Sequence, residues 1–420
     1  MLRNLFKQNI IYLIVNIIKS GVPFLLLPFF THYLSVKDYG ILSMYQVVIS
    51  VVVLLVGLRS DGVISVEYFH LNKQDFKILL FNIVIVLLVS FIILLLLCFL
   101  FKDFIVNLTK IEWNWILLAL IGAFFYFFVM ALLNLYRVQE KVKNYAVLQM
   151  LLTLYLFISS IVLVMLLQNW EGRAISIISA NIFFGILSFF VLSKYFFIKI
   201  DFNMIKKILL FSIPLLPHIV SGWIMTSIDR VFITNMVGIY DVGLYTVGYQ
   251  IGMIISVIAT SFNQAWGVFL FKKLANVTYE TKLKLVKFTY LYFIGLFVIF
   301  ILLVYLLPWI YKIFVGANFI HSKKYVLWIA LGFLFNGMYF MVTNYIFFVK
   351  KTYLLSFVTF FIAIINIILN WILIKIYGSL GAAIATTISY FLGFLFTWYL
   401  SNKVYKMPWF DFKGMFNVKF

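Results

Sequence analysis

Residues 78–101 read ILLFNIVIVLLVSFIILLLLCFLF, without a single charge, and are held between Lys77 and Lys102. As a helix, a run of that length crosses the hydrocarbon core of a bilayer, which needs about 20 apolar residues. The pattern recurs near 10–33, 39–63, 113–136, 145–168, 173–197, 208–237, 243–268, 285–307, 324–348, 353–377 and 379–402, with short charged segments between the runs. The expected fold is therefore all-α and polytopic, with about twelve transmembrane helices. Composition agrees, since 65% of the 420 residues are hydrophobic and 11% charged, against about 45–50% and about 25% in soluble domains. Twelve spans leave about 13 residues for each loop or tail, too few to fold as a soluble domain. The first run is too long for a signal h-region and no small-residue cleavage site follows it, so it is expected to remain as a span.

The formal charge of +20 would in a soluble chain suggest nucleic acid. Here the basic residues are scattered one to five per loop, so nucleic acid is not an expected partner and membrane orientation accounts for them. With the N-terminus inside, 22 of the 33 Lys and Arg fall on the cytoplasmic side, beginning with Arg3 and Lys7 and ending with Lys419. Eight fall on the opposite side, among them Arg173, and Lys19, Arg59 and Arg230 lie within spans. Both termini are expected in the cytoplasm. Cys98 is the one cysteine, which excludes a disulfide framework and a thiolate cluster. His32, His70, His218 and His321 lack the i,i+4 spacing of a helical zinc pair, and no Gly-Lys-Ser/Thr loop or closely spaced aspartate pair occurs. No metal, cofactor or catalytic residue is expected.

Weak internal repetition organises the spans. Asp38-Tyr39-Gly40 with Tyr45-Gln46 recurs as Asp241-Val242-Gly243 with Tyr249-Gln250, and the pair Pro23/Pro28 is matched by Pro214/Pro217. An offset of six spans makes the repeat parallel and predicts two six-helix lobes, residues 1–205 and 206–420, around a central cavity. The prolines are expected to break the first and seventh helices.

A charge at mid-bilayer depth costs at least about 2.5–3.5 kcal/mol, so such residues normally face a bundle interior or a wet cavity. Lys19 lies about ten residues into the first span, about 15 Å along it, and His218 about as deep into the seventh. If the lobes face each other, these two line opposite walls of one cavity. Arg59 and Arg230 complete the expected substrate-binding cations, while Asp61 and Asp229 are expected to couple an ion or to serve structure. Asp229 and Arg230 point about 100° apart, so one can face the cavity while the other ties the helix to a neighbour. Asn366 with Asn370, and Asn336 with Thr343, share helix faces. They either bond neighbouring helices or touch a polar substrate.

Residues 208–252, ILLFSIPLLPHIVSGWIMTSIDRVFITNMVGIYDVGLYTVGYQIG, and 366–390, NIILNWILIKIYGSLGAAIATTISY, resemble polysaccharide-biosynthesis flippases of the multidrug/oligosaccharidyl-lipid/polysaccharide exporter superfamily. The matching positions are Asp229, Arg230, Gly378, Gly381, Ala382 and Thr386. The resemblance implies a MATE-like fold that moves undecaprenyl-diphosphate-linked oligosaccharide across the bacterial inner membrane for O-antigen, lipopolysaccharide, capsule or exopolysaccharide synthesis. It further implies a polysaccharide polymerase and a chain-length regulator as partners beside membrane lipids, and makes the polar substrate contact one with glycan. One departure is Glu67, which precedes Tyr68 and Phe69 where the resemblance implies a basic residue. An anionic, glycan-bearing cargo suits a cationic cavity. A multidrug or cation antiporter, the alternative within the superfamily, more often uses buried carboxylates, and a membrane polymerase typically needs longer outer loops than the 12–17 residues expected here.

Overall fold

The computed structural model describes residues 2–275 and 277–418, with side chains except at 2–10, 12–14, 16, 17 and 416. The side chains of Arg3 and Lys7, the start of the first expected span, and Lys419 therefore lie outside the described residues. All regular structure among the described residues is helical. The helices are α1 (Leu2–Tyr33), α2 (Val36–Leu55), α3 (Val63–Glu67), α4 (Lys73–Leu100), α5 (Lys102–Thr109), α6 (Trp113–Val138), α7 (Val142–Leu167) and α8 (Trp170–Ser193). They continue with α9 (Phe202–Met236), α10 (Ile239–Gly252), α11 (Ile254–Ala275), α12 (Tyr279–Phe314), α13 (Lys323–Phe348), α14 (Thr352–Tyr377), α15 (Ser379–Val404) and the short α16 (Phe412–Asn417).

Among the described residues, eleven helical runs are long and apolar enough to cross a membrane, and α1 occupies the place of the remaining expected span. Three of the eleven are composite: Val36–Glu67 joins α2 to α3, Ile239–Ala275 joins α10 to α11, and Ala317–Phe348 joins a 3-10 turn, Ala317–Ser322, to α13. The expected proline breaks are corrected. Pro23 and Pro28 lie inside a continuous α1, and Pro214 and Pro217 inside a continuous α9. Membrane helices tolerate proline where nearby side chains and neighbouring helices satisfy the freed backbone groups.

The chain divides into two compact units, Met1–Trp223 with Gly238–Gly243, and Ile224–Val237 with Leu244–Phe420. In the first unit α8 packs against α6 and α7, α1 against α7, and α2 against α6. Ser35 caps α2 by accepting from the Asp38 amide at 3.1 Å, which gives the first Asp-x-Gly element a structural reason. The repeated glycines also meet: a Cβ on Gly40 would lie 2.0 Å from the Ile239 carbonyl, and one on Gly243 2.1 Å from the Val36 carbonyl. Only glycine permits that backbone approach.

In the second unit α15 packs against α13 and α14, and α13 against α11. Its basic end is closed by the chain's own tail. Trp409, 1% exposed, enters a cluster with Met407, Met415, Tyr345 and Leu283, while the Trp409 carbonyl accepts from the Tyr290 hydroxyl at 2.8 Å. Lys282 and Lys287 donate to the carbonyls of Lys406 and Val418, each at 3.0 Å. The Gly414 amide and the Tyr279 hydroxyl, the latter at 2.8 Å, hold the exposed Asp411 carboxyl below the usual carboxylate range.

Candidate functional site

Five helices of the first unit, α1, α2, α6, α7 and α8, enclose a cavity of about 370 Å³. Its polar lining comprises Lys19, Gln46, Ser50, Tyr126, Gln149, Thr153, Arg173 and Asn181, with no carboxylate among the lining residues. Each helix contributes through its own periodicity: Gln149, Leu152, Thr153 and Leu156 form one face of α7, as Arg173, Ile177 and Asn181 do on α8.

Lys19 is exposed to this cavity, and its ammonium makes no hydrogen bond or ion pair among the described residues. Arg173 is held differently. One guanidinium nitrogen donates to the Leu156 carbonyl at 3.1 Å and to the Ser160 hydroxyl, while the buried Nε has no partner among the described residues. Its base is fixed by a serine ladder between α7 and α8, in which Ser176 bonds Ser159 at 2.6 Å and Ser160 at 2.9 Å, and Tyr155 donates to Ser179 at 3.2 Å. Arg173 was assigned by charge counting to the outer loop, because it stands in the first turn of its helix. The serine-rich stretch Ser159-Ser160 opposite Ser176 is the sequence signal that could have placed it inside.

The wall expected of His218 belongs to a cavity between two facing lobes, a different place from this one, which lies within the first unit. His218 is exposed on α9 and is not among the residues lining this cavity. Arg59 and Asp61 also lie elsewhere in the first unit, at a break in the second span. Gly57, Leu58 and Arg59 hold φ of 71°, 51° and 57°, a left-handed turn of which two residues are not glycine. The turn is braced on both sides: the Gly57 amide donates to Ser90 Oγ at 2.9 Å, and Asn134 Nδ2 donates to the Asp61 carboxylate at 2.9 Å and to its carbonyl at 3.2 Å. Arg59 Nε stands 3.8 Å from the same carboxylate, which is buried. Each non-glycine left-handed residue costs about 1–2 kcal/mol, so these contacts maintain a strained element. Just beyond it, Glu67 accepts from Lys207 at 2.5 Å, an ion pair between α3 and α9. The acid found where the resemblance implied a base is thus a cross-helix partner.

The second unit holds Asp229 and Arg230 as a buried pair 3.2 Å apart. The guanidinium also donates to the Thr226 carbonyl at 2.7 Å and lies 4.4 Å from the Tyr249 ring centre, while Tyr245 donates to Asp229. The polar contacts of the pair come from α9 and α10, and the Tyr245 and Tyr249 rings pack on Tyr325 and Phe333 of α13, so the pair is built into the second unit's packing. Asn366 and Asn370 are buried between α14 and α15: Asn366 donates to Ser389 at 3.1 Å and Asn370 to Asn366 at 3.1 Å. That is the interhelical arrangement. Thr343 is buried and donates to the Tyr339 carbonyl at 2.8 Å; Asn336 is partly exposed on α13.

An all-helical architecture with eleven runs long and apolar enough to cross a membrane among the described residues is that of a polytopic membrane protein, and comparison with known proteins places it. The chain belongs to the family described as "Polysaccharide biosynthesis protein", whose family model matches residues 5–267. It is similar to Lsg locus protein 1 of Haemophilus influenzae, with 26% identity over 84% of this chain and 86% of that one. It is also similar to the capsular polysaccharide biosynthesis protein CapF of Staphylococcus aureus, with 28% identity over 54% of this chain and 59% of that one. Among solved structures, the lipid II flippase MurJ in its inward closed conformation shares the fold at a TM-score of 0.72, with 17% identity over 98% of this chain and 90% of that one. The multidrug transporter DinF-BH, a MATE protein, does so at 0.63, with 16% identity over 97% and 96%.

Proposed function

We propose that this protein is a flippase, not an enzyme, that moves undecaprenyl-diphosphate-linked oligosaccharide repeat units across the bacterial inner membrane by alternating access. The observation that carries the reading is the lining of the first unit's cavity, two cations and six neutral hydrogen-bonding side chains without a carboxylate. A diphosphate needs cations, and a glycan needs neutral donors and acceptors. A cationic drug needs the opposite charge, which weighs against the antiporter reading. Lys19, with no hydrogen-bond or ion-pair partner among the described residues, is the proposed diphosphate ligand; Arg173, anchored through one nitrogen, presents the second charge. Arg59, His218 and Arg230 lie outside this lining; Arg59 pairs with Asp61, and Arg230 with Asp229 in holding the second unit together.

The 22-to-8 distribution of Lys and Arg supports an orientation with both termini in the cytoplasm. The family and the CapF similarity support service to O-antigen, capsule or exopolysaccharide assembly, upstream of a polymerase and its chain-length regulator. Cells lacking the protein should lose surface polymer and accumulate lipid-linked repeat units on the cytoplasmic face. Single unpolymerised repeats appearing on the surface instead would indicate a polymerase and overturn the reading.

A further inference from the structure

A second crevice, of about 390 Å³, lies in the first unit between α6, α7 and α8. Its α7 wall is Lys143, Asn144, Val147, Leu148 and Leu151. At 100° per residue that face lies about 160° round α7 from the face lining the cation cavity. The crevice and the cavity are therefore separate. Val147, Leu151 and Leu187 at its edges are about half exposed, so it opens on the apolar exterior, where lipid stands.

The polar and apolar parts of the crevice are ordered along its length. Lys141 donates to the Tyr195 hydroxyl at 3.2 Å, which sets the start of α7 beside the end of α8, the end that also carries Arg137, Lys143 and Lys194. From Lys143 to Leu151 the groove descends about 12 Å into the apolar band. The same antiparallel register, continued by the pairing of Tyr155 with Ser179, sets Ser188 level with Leu148, about 7 Å below Lys143. Ser188 is among the residues around the crevice, and its fully buried hydroxyl has no partner among the described residues. Lys143 is exposed and likewise makes no ion pair or hydrogen bond among them.

We propose that this crevice is a binding site for an anionic phospholipid of the leaflet bathing the basic end of the unit, the cytoplasmic leaflet in the orientation given above. The phosphate meets Lys143 and Asn144, and one acyl chain lies along Val147 and Leu151. The exposed lysine fits an anionic headgroup, whereas a zwitterionic lipid brings its own ammonium beside the phosphate and gains less from Lys143.

The test uses the full-length protein in neutral detergent, with its melting temperature followed as dioleoyl phosphatidylglycerol or dioleoyl phosphatidylcholine is added. Phosphatidylglycerol should raise it at concentrations where phosphatidylcholine does not. Lys143→Ala should weaken that response at least about fivefold in half-saturating lipid, as loss of one lysine beside an anionic headgroup implies. Lys143→Arg should retain it, Leu148→Trp should block it by filling the groove, and Lys194→Ala, outside the crevice, should leave it intact. Equal responses to the two lipids, or equal losses in Lys143→Ala and Lys194→Ala, would overturn the site. So would a response confined to a polyprenyl phosphate. None of these readouts involves glycan transport, so the site stands or falls separately from the flippase reading.

Discussion

Lys19 and Arg173 share one cavity but are held differently, and this separates binding from folding in an experiment. Because Lys19 has no protein partner among the described residues, Lys19→Gln removes a charge without stranding a neighbour, and the amount of folded protein should be unchanged. Truncating one side of a buried charge pair costs about 2–5 kcal/mol, so export per molecule should fall about 30- to 5,000-fold. Lys19→Arg should keep most activity. Arg173→Gln removes the same unit of charge and also the guanidinium's bonds to the Leu156 carbonyl and the Ser160 hydroxyl, which keep each other and Ser176 as partners. Hydrogen bonds to a charged group contribute about 1.5–3 kcal/mol, so this variant should lose both abundance and export. The assay is surface glycan, with lipid-linked intermediate as its complement, in cells lacking the native copy and normalised to membrane-resident protein by immunoblot. Normal export from Lys19→Gln and Lys19→Ala at matched abundance would refute the role of the cavity cations.

Four further outcomes follow from other parts of the structure. Gly57→Ala places a Cβ 2.3 Å from the Phe127 ring at a φ of 71°; strain and overpacking of about 2–5 kcal/mol should lower the melting temperature in detergent, whereas an unchanged value would remove the constraint assigned to this turn. Arg230→Ala breaks a buried ion pair, a loss of about 3–5 kcal/mol, and should reduce the folded amount while the surviving molecules export normally; the opposite split would make Arg230 a substrate ligand. The tail contacts of Asp411 should persist from neutral pH down to about pH 4, because a depressed carboxyl contributes stability above its unfolded value and loses it only as pH falls through the folded one; proteolysis of the tail that begins at pH 6 would contradict this. Reporter fusions after Lys207, Lys287 and Lys403 should all lie in the cytoplasm, and a periplasmic signal at any of them would break the six-plus-six topology.

The membrane fold was readable because hydrocarbon imposes a long, uncharged run on every span, as 78–101 shows without any tertiary information. Lys19 was readable for the same reason, since an ammonium ten residues inside such a run needs an explanation. Arg173 escaped notice because a cation in the first turn of a span looks like a loop residue until α7 is packed beside it. The left-handed turn at Gly57–Arg59 carries only one glycine as a local signal; Leu58 and Arg59 adopt positive φ because Ser90, Asn134 and Asp61 hold the turn. Proline misled in the other direction, since its local tendency to break a helix is overridden in α1 and α9. Asn366 and Asn370 had two consistent readings, and which face met a neighbouring helix was decided by packing that no single-helix pattern contains.

Reconstituted translocation tests the central claim most directly. Purified protein is placed in vesicles carrying a polyprenyl-diphosphate oligosaccharide whose label is bleached by a membrane-impermeant reductant. The account predicts that wild-type vesicles expose the inner-leaflet pool to bleaching, while Lys19→Gln vesicles lose only the outer-leaflet fraction, as protein-free vesicles do. Wild-type vesicles that protect the inner pool yet transport a cationic dye would contradict it.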